Sequence, residues 1–337
     1  GTDREISSFE YGTPPPGDDH LVIGHEALAE VIESGPAVER VQPGDLVVPT
    51  VRRPCPHPAC HPCRSGHQDY CYTGDYVERG IKDAHGYMAE FVVEHERYLN
   101  PVPRELRQIA VLTEPLTIAE KALHQVRWLM QRRPPWIAPD TPAHEQGKGL
   151  AALVLGVGPV GLLGAMVLAS QGFETYVYSR ELPPNPRVDI VEEIGATYVS
   201  SQTTTPSDLA ARMGNVDLVY EAVGSPQFAL EVLGILGING IFVVTGIPGP
   251  EALRETDTAR LMRDMVLKNQ MVLGTVNAGP GDFEAAVRSL MTLERRWPDS
   301  LRKLIAGRHP PEAAPELIQG WPPGIKNLIG FDGDGAS

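Results

Sequence analysis

The stretch 150–172 constrains the fold of this chain more than any other. It reads LAALVLGVGPVGLLGAMVLASQG, in which an apolar run at 151–155 ends in a cluster of glycines and a second apolar run follows. The first run predicts a strand buried on both faces, and the second predicts a buried helix. The stretch therefore predicts a strand, a tight turn and a helix, the beginning of a parallel α/β unit.

The glycine pattern in this turn is G-x-G-x-x-G. Gly156 permits the tight turn, Gly158 lets the backbone approach a pyrophosphate, and Gly161 lets the helix pack closely on the strand. The helix N-terminus presents unpaired N–H groups to the phosphates, so Pro159 and Val160, which begin the helix, are also expected beside the ligand, although Pro159 has no N–H group of its own. The pattern indicates a dinucleotide cofactor, although a glycine-rich turn between two buried elements would look the same.

The region after this unit repeats the alternation of strand and helix. The expected strands are ETYVYS, ATYVSS, VDLVYEAVG, GIFVVTG and MVLGTV, and the expected helices lie near 188–194, 207–213, 227–236 and 256–267. Six strands alternating with helices predict a doubly wound parallel sheet of the Rossmann kind, in the α/β class. Such sheets bind ligands at their carboxyl edge, so cofactor contacts are expected from Val223, Thr245, Thr275 and Asn277.

The end of the second strand indicates which dinucleotide binds. NAD enzymes usually place a carboxylate there, whereas this chain has Ser179 and Arg180, which suit a ribose 2′-phosphate. NADP is therefore favoured. Glu181 follows directly and leaves NAD open as an alternative.

The first part of the chain has a different pattern. Short β-like runs at 21–34, 43–49 and 86–94 are separated by Gly and Pro, which predicts an irregular, mostly antiparallel β domain. A helix is expected at 118–130, with Glu114 as a carboxylate near its start. Another helix is expected near 283–293.

All four cysteines of the chain fall within one proline-rich loop, at Cys55, Cys60, Cys63 and Cys71. Four thiolates on a proline-rich loop that has no hydrophobic core of its own suit a structural zinc ion, which leaves no open position for a substrate. Disulfides and free thiols are the alternatives, and disulfides are disfavoured in a cytoplasmic protein. His57 lies three residues before Cys60 and could replace Cys55 as the first ligand.

Composition excludes several classes of partner. The formal net charge is −14 over 337 residues, which disfavours nucleic acid and anionic membranes because both need clustered Lys and Arg. No apolar run approaches the ~20 residues of a membrane span, and no signal segment is visible. We therefore expect a cytoplasmic protein.

Several motifs together resemble one family. GTDREI at the start, GHE at 24–26, the cysteine loop, TEPLTIAEKAL from 113 and GVGPVG from 156 are similar in order and spacing to the zinc-dependent medium-chain dehydrogenase/reductase superfamily. VVPTVRRP, GDYVERGIKDAHGYMAEF and GTVNAGPGDFEAAV resemble its archaeal-type glucose 1-dehydrogenases. The resemblance implies a GroES-like catalytic domain at 1–116, completed by 278–337, and an NAD(P)-binding Rossmann domain at 117–277. It also implies a homodimer or homotetramer.

The resemblance further implies a catalytic zinc ion bound by His25, Glu26 and Glu114. The family has one more ligand, a Cys or Asp directly before its Gly-Thr-Asp motif. That motif begins here at Gly1 with no initiator Met, so we expect an N-terminal truncation that removes this ligand.

The family's activity implies roles for the remaining residues. A hydride passes from C1 of an aldose, with glucose favoured, to NADP, which gives the lactone. Glu26 is the expected proton acceptor, Thr2 a proton relay, and Glu114 a further catalytic carboxylate. Thr2, Glu78, Glu114 and Asn277 are the expected sugar contacts, although Glu78 could equally be a solvated loop charge. A polyol or alcohol dehydrogenase, or an NADP-binding protein without catalysis, are the alternatives.

Overall fold

The computed structural model describes residues 1–133, 136, 138, 140–249, 255–320 and 322–331. The chain divides into two compact units, Gly1–Thr117 with Asn277–Ser337, and Ile118–Val276. The assignment of catalysis to the first unit and of nucleotide binding to the second stays a prediction. Within the described residues, no helix combines the length and the apolar character that a membrane crossing requires.

Short strands dominate the first part of the chain. Its elements are α1 (Thr2–Ser7), β1 (Ala29–Glu30), β2 (Leu46–Pro49), β3 (Arg52–Arg53), α2 (His61–Arg64), β4 (Val77–Arg79), β5 (Asp83–Ala84) and β6 (Leu99–Val102). The central strand β2 is buried along its length and pairs antiparallel with β1 and β6. A second sheet joins β3 and β4 antiparallel, and β4 and β5 parallel.

Two of the predicted β runs form less regular structure than expected. Only β1 within 21–34 is a strand, and 86–94 contains no strand. The backbones of the two segments do bond to each other, with the N–H of Gly86 donating to Val22 and that of Met88 donating to Ile23. Gly24 directly follows these two acceptors and has φ +90°, which breaks the extended conformation that a ladder needs.

Helix α3 (Thr113–Met130) begins earlier than the predicted start at residue 118. Pro115 falls in its first turn, where the missing N–H has no intrahelical acceptor and therefore costs nothing. Glu114 consequently lies inside the helix and does not precede it.

The second unit contains the predicted doubly wound sheet. Its elements are β7 (Ala151–Leu155), α4 (Pro159–Ser170), β8 (Glu174–Ser179), α5 (Pro186–Glu193), β9 (Thr197–Ser200), α6 (Pro206–Met213), β10 (Leu218–Glu221), α7 (Pro226–Leu233), β11 (Ile241–Val244), α8 (Thr258–Leu267) and β12 (Met271–Gly274). The strands are parallel and follow the order β12-β11-β10-β7-β8-β9. The order reverses between β7 and β10, where such sheets bind their ligands.

The last part of the chain returns to the first unit. Its elements are α9 (Pro280–Arg296), α10 (Pro298–Arg302), β13 (Ile305–His309), α11 (Ala314–Gln319) and β14 (Lys326–Ile329). Strands β13 and β14 form a parallel pair. The predicted class, an α/β protein with a parallel Rossmann sheet and separate, mainly antiparallel strands, is confirmed.

The turn between β7 and α4 leaves different amounts of space at Gly161 and at Gly158. A Cβ atom at Gly161 would lie 2.3 Å from the carbonyl oxygen of Gly156, closer than any real contact. A Cβ atom at Gly158 would meet nothing within 4 Å. Gly161 therefore allows the helix to approach the strand, whereas the space beside Gly158 is open.

This difference predicts unequal effects of two alanine substitutions. Gly161→Ala should lower the free energy of unfolding by about 2–3 kcal/mol, because a backbone oxygen has to move. Gly158→Ala should cost about 1 kcal/mol or less, the usual effect at a helix N-cap. Denaturant unfolding of both variants measures the difference, and equal losses would contradict the packing argument.

Candidate active site

The segment around His25 is positioned by a close contact between glycines. A Cβ atom at Gly80, directly after β4, would lie 2.5 Å from the carbonyl oxygen of Gly24. Gly24 itself has φ +90°, a conformation that residues with side chains rarely adopt. This contact therefore fixes the backbone position of His25 and Glu26 beside the end of β4.

His25, Glu26 and Glu114 come together although Glu114 is far away in sequence. One ligand atom from each lies within 4.8 Å of the others. The His25 Nδ1 atom is 3.3 Å from Asp3 Oδ1, and its Nε2 atom is 3.9 Å from Glu26 Oε1. A carboxylate on one ring nitrogen commonly orients a histidine whose other nitrogen binds a metal ion. The nitrogen and oxygen donors of this group suit zinc.

The electrostatics of this group also favour a bound cation. Burial alone would lower the pKa of His25, but the hydrogen bond to Asp3 and the carboxylates of Glu114 and Glu26 raise it to about 9. Burial and the charge of Glu26 raise the pKa of Glu114 to about 7, against the opposing effects of His25 and Lys326. Lys326 on β14 hydrogen bonds to Glu26 Oε2. Two neighbouring carboxylates, one of them strongly desolvated, are stabilised when positive charge lies between them.

Thr2, the predicted proton relay, is the first residue of α1 and is partly exposed. It directly precedes Asp3, whose carboxylate contacts His25.

Glu78 is not the solvated loop charge that the sequence left open as an alternative. Its side chain on β4 is buried, and its Oε1 atom accepts hydrogen bonds from Arg52 Nε at 3.0 Å and from Asn277 Nδ2 at 2.8 Å. Arg52 is also buried and lies over the ring of Tyr76. The structure thus brings together Glu78 and Asn277, two of the predicted sugar contacts.

The four cysteines form the second group of possible metal ligands. Their sulfur atoms all lie within 4.8 Å of one another, and the Sγ atoms of Cys60 and Cys71 are 3.9 Å apart. A tetrahedral zinc ion with Zn–S bonds of ~2.3 Å separates its sulfurs by ~3.8 Å. Hydrogen bonds from the backbone N–H groups of Cys63 and Tyr72 lower the pKa of Cys60, which favours the thiolate that zinc binds. His57 is outside this group and pairs with Asp75.

The predicted cofactor residues that follow β7 and β10 come directly after two strands that are neighbours in the sheet. Gly158 caps α4, Pro159 and Val160 form its first turn, and the open space beside Gly158 suits a pyrophosphate. Val223, directly after β10, packs so closely on the glycine turn that a Cβ atom at Gly156 would lie 2.8 Å from its Cγ2 atom.

Two other predicted cofactor contacts follow strands β11 and β12 of the same sheet. Thr245 follows β11, and its hydroxyl donates to the backbone oxygen of Glu221 at 2.6 Å. Thr275 follows β12 and accepts a hydrogen bond from Gln125 at 2.8 Å.

Sequence analysis missed Glu221 at the end of β10. Its carboxylate is almost fully buried and accepts hydrogen bonds from the backbone N–H groups of Val223 and Gly224, both at 2.7 Å, and of Gly246 at 3.1 Å. It therefore joins the loop after β10 to the loop after β11. A charged residue ending an apolar strand was the signal in the sequence.

Comparisons with known proteins agree with this arrangement. Residues 107–329 match the family described as glucose dehydrogenase C-terminus, and residues 1–104 match the alcohol dehydrogenase GroES-like domain. The chain belongs to the glucose dehydrogenase family. A glucose 1-dehydrogenase of Methanocella arvoryzae is 37% identical over 98% of this chain and 88% of its own length. Another, from Caldivirga maquilingensis, is 40% identical over 91% and 81%.

A solved structure gives the same family and shows a ligand set. Glucose dehydrogenase of Haloferax mediterranei, in complex with NADP, zinc and gluconolactone, superposes with a TM-score of 0.84 at 34% identity. The match covers 98% of this chain and 89% of that one. The resemblance to archaeal-type glucose 1-dehydrogenases that the sequence motifs indicated is confirmed.

The position of His57 outside the sulfur group predicts which residue is the first ligand of the cysteine site. Cys55→Ser should remove about one zinc ion per chain and lower the melting temperature, because a structural site contributes directly to folding. His57→Ala should leave the zinc content unchanged. Elemental analysis of both purified variants measures this, and the opposite pattern would assign the ligand to His57.

Glu221→Gln should weaken the connection between the two loops. An amide offers one acceptor oxygen where the carboxylate offers two, so at least one of the three backbone N–H groups loses its partner. We expect a loss of about 1–3 kcal/mol in the free energy of unfolding. Glu192→Gln, on the exposed side of α5, is the matched control and should change it by less than about 0.5 kcal/mol. A Glu221 variant as stable as this control would refute the role.

Proposed function

We propose that this protein oxidises an aldose, glucose first, at C1 to the lactone with NADP as the hydride acceptor. The observation that carries the proposal is the convergence of His25, Glu26 and Glu114 in a chain of the glucose dehydrogenase family. The Haloferax mediterranei relative in complex with NADP, zinc and gluconolactone supports the same reaction.

The donor set and the unbalanced carboxylates suit a zinc ion held by His25 Nε2, Glu26 and Glu114. When bound, zinc lowers the pKa of the C1 hydroxyl and the nicotinamide takes up the hydride. Asp3 orients His25 by contacting Nδ1. Glu26 accepts the hydroxyl proton, and the Thr2 hydroxyl passes it outward.

Glu78 and Asn277 are the proposed contacts to the other sugar hydroxyls. The bonds from Arg52 and Asn277 to Glu78 both end on Oε1, which leaves Oε2 to accept from a sugar hydroxyl. A buried carboxylate that loses this partner pays a desolvation penalty. The arrangement therefore favours substrates with several hydroxyls over plain alcohols.

On the cofactor side, we propose that Gly156, Gly158, Pro159, Val160 and Gly161 hold the pyrophosphate, with Val223, Thr245 and Thr275 along the carboxyl edge of the sheet. Ser179 and Arg180 stand at the end of β8, where the 2′-phosphate of NADP would bind.

Turnover with a panel of aldoses, polyols and secondary alcohols tests the proposed reaction. We expect NADPH and lactone to form with glucose and related aldoses. Loss of a residue that hydrogen bonds to a metal ligand can lower activity ~100-fold. Loss of a ligand itself should cost at least as much, so His25→Ala should lower kcat/KM by ~100-fold or more and remove one of two zinc ions. His20→Ala, at an exposed histidine, should leave both unchanged. Turnover of polyols alone would favour a polyol dehydrogenase, and zinc and NADP binding without turnover would favour a non-catalytic protein.

The quaternary structure is also part of the proposal. We propose a homodimer or homotetramer, supported by the exposed apolar residues Met262 and Val266 on α8 and Val272 on the edge strand β12. Light scattering of the purified protein measures the oligomer, and a monomer would contradict this.

A further inference from the structure

Arg52 lies between the cysteine loop, residues 55–71, and one of the proposed sugar contacts. It belongs to β3, where it is paired directly opposite Glu78 of the antiparallel strand β4. Its side chain is only 5% exposed, so its charge is almost completely removed from water. A buried guanidinium carries five N–H donors and no acceptor, and a donor without a partner costs free energy. The groups that bond to Arg52 are therefore held close to it.

The donors of Arg52 reach two separate parts of the first unit. Its Nε and Nη2 atoms both lie 3.0 Å from Oε1 of Glu78. Its Nη1 atom donates to the backbone oxygen of Asp69, within the cysteine loop, at 3.2 Å. Gln68 of the same loop donates through Nε2 to the backbone oxygen of Arg52 at 3.4 Å. One residue therefore connects the loop to the carboxylate.

The ring of Tyr76 fixes the plane of this guanidinium. The Arg52 Cζ atom lies 3.7 Å from the ring centroid, a contact that the flat guanidinium makes better than an ammonium does. Because the ring sets the plane, the rigid fork of donors has one direction. A lysine ammonium is a point charge on a flexible stem and presents no such fork. The connection therefore depends on the geometry of arginine as well as on its charge.

The same bonds set the direction of the Glu78 carboxylate. The two Arg52 donors and the Nδ2 atom of Asn277, at 2.8 Å, all bond to Oε1. These bonds orient the other oxygen, Oε2, which is proposed above to accept from a sugar hydroxyl. A displacement of the backbone at Asp69 would move the guanidinium and, with it, this oxygen.

We propose that Arg52 is a positioning residue that couples the cysteine loop to sugar binding. It holds the Glu78 carboxylate in the direction that suits a sugar hydroxyl, and the backbone of the loop holds Arg52. The proposal rests on the proposed function. It adds that the cysteine loop affects the affinity for the sugar as well as local stability.

Arg53 provides a matched control on the same strand. Successive side chains of a strand point to opposite faces, so the two arginines extend away from each other. The surroundings of Arg53 are of the same kind, because its side chain is 12% exposed and its Nη2 atom donates to Glu94 Oε2 at 2.5 Å. Its Cζ atom lies 4.0 Å from the ring centroid of Tyr98. A lysine at either position loses comparable contacts, but it is Arg52 that bonds to Glu78.

The affinity for glucose tests the role of Arg52. Saturation-transfer NMR of the zinc-loaded protein, with NADPH bound so that no turnover occurs, gives the dissociation constant (Kd) of glucose. Arg52→Lys keeps the charge and should raise this Kd and the KM about 10-fold, with kcat changed less than about 3-fold, as expected for a weakened hydrogen bond to the sugar. Arg53→Lys should change the Kd and the KM by less than about 2-fold.

Melting temperatures and zinc contents establish that each variant is folded. If Arg52→Lys does not fold, Tyr76→Leu takes its place, because it removes the ring and leaves the ion pair between Arg52 and Glu78. It should raise the Kd of glucose by about 3-fold, the size of a lost cation–π contact.

Deoxy sugars separate a positioning role from a general loss of stability. Among the 2-, 3-, 4- and 6-deoxy derivatives of glucose, at least one should bind the wild type about 10-fold more weakly than glucose, because it leaves Glu78 without its partner. In Arg52→Lys this difference should shrink to about 3-fold or less, since the carboxylate is no longer directed at that hydroxyl. In Arg53→Lys the difference should persist.

A double-mutant cycle tests the coupling to the cysteine loop. Cys55→Ser, expected to remove the metal ion from the loop, should raise the Kd of glucose and should have little further effect when Arg52→Lys is already present. Gln68→Ala repeats the cycle if Cys55→Ser does not fold, because it removes the bond to the backbone oxygen of Arg52 and no cysteine. Additive effects in the cycle that folds would overturn the coupling.

The results distinguish this inference from the proposed function. If glucose is oxidised and its Kd is the same in Arg52→Lys as in the wild type, the positioning role is overturned and the function stands. A rise of equal size in Arg53→Lys also overturns that role, because the effect would then follow from the loss of any buried ion pair. If the wild type neither binds nor oxidises an aldose, the proposed function fails, and the role of Arg52 fails with it.

Discussion

The close approach between Gly161 and the carbonyl of Gly156 is the constraint on which the second unit depends. Because a Cβ atom at Gly161 would lie 2.3 Å from that oxygen, only glycine lets α4 begin directly over the end of β7. The first turn of the helix, with its unpaired N–H groups, is then presented at the point where the strand order reverses. Glu221 joins the two adjoining loops across β10 and β11. Tight packing and one buried carboxylate together shape this edge of the sheet.

In the first unit, the main constraint is the desolvation of neighbouring acidic groups. Glu26 and Glu114 lie beside His25, and burial raises the pKa of Glu114 against the opposing charges of His25 and Lys326. The thiols of the four cysteines raise the same problem, since each must lose its proton to bind a metal ion. A cation bound at each group would offset these costs. Metal binding and local stability are therefore expected to be coupled in this unit.

Buried ion pairs here serve orientation more than stability. Arg52 and Glu78 are both desolvated, which usually cancels most of the attraction between such charges. Their hydrogen bond and the one from Asn277 both end on one carboxylate oxygen of Glu78 and fix the orientation of that side chain. The carboxylate of Glu181 is likewise oriented by a hydrogen bond, which it accepts from the hydroxyl of Ser179.

The sequence by itself determined the alternation of strands and helices, the glycine turn and the cysteine loop, because these depend on local periodicity and on short spacings. It placed the start of α3 too late and expected regular strands at 21–34 and 86–94, since it could not show that Gly24 interrupts the pairing. Only tertiary structure brought Glu114 to His25, buried Glu78 against Arg52 and turned Glu181 toward Ser179. These contacts depend on backbone direction and burial, which residue order does not specify.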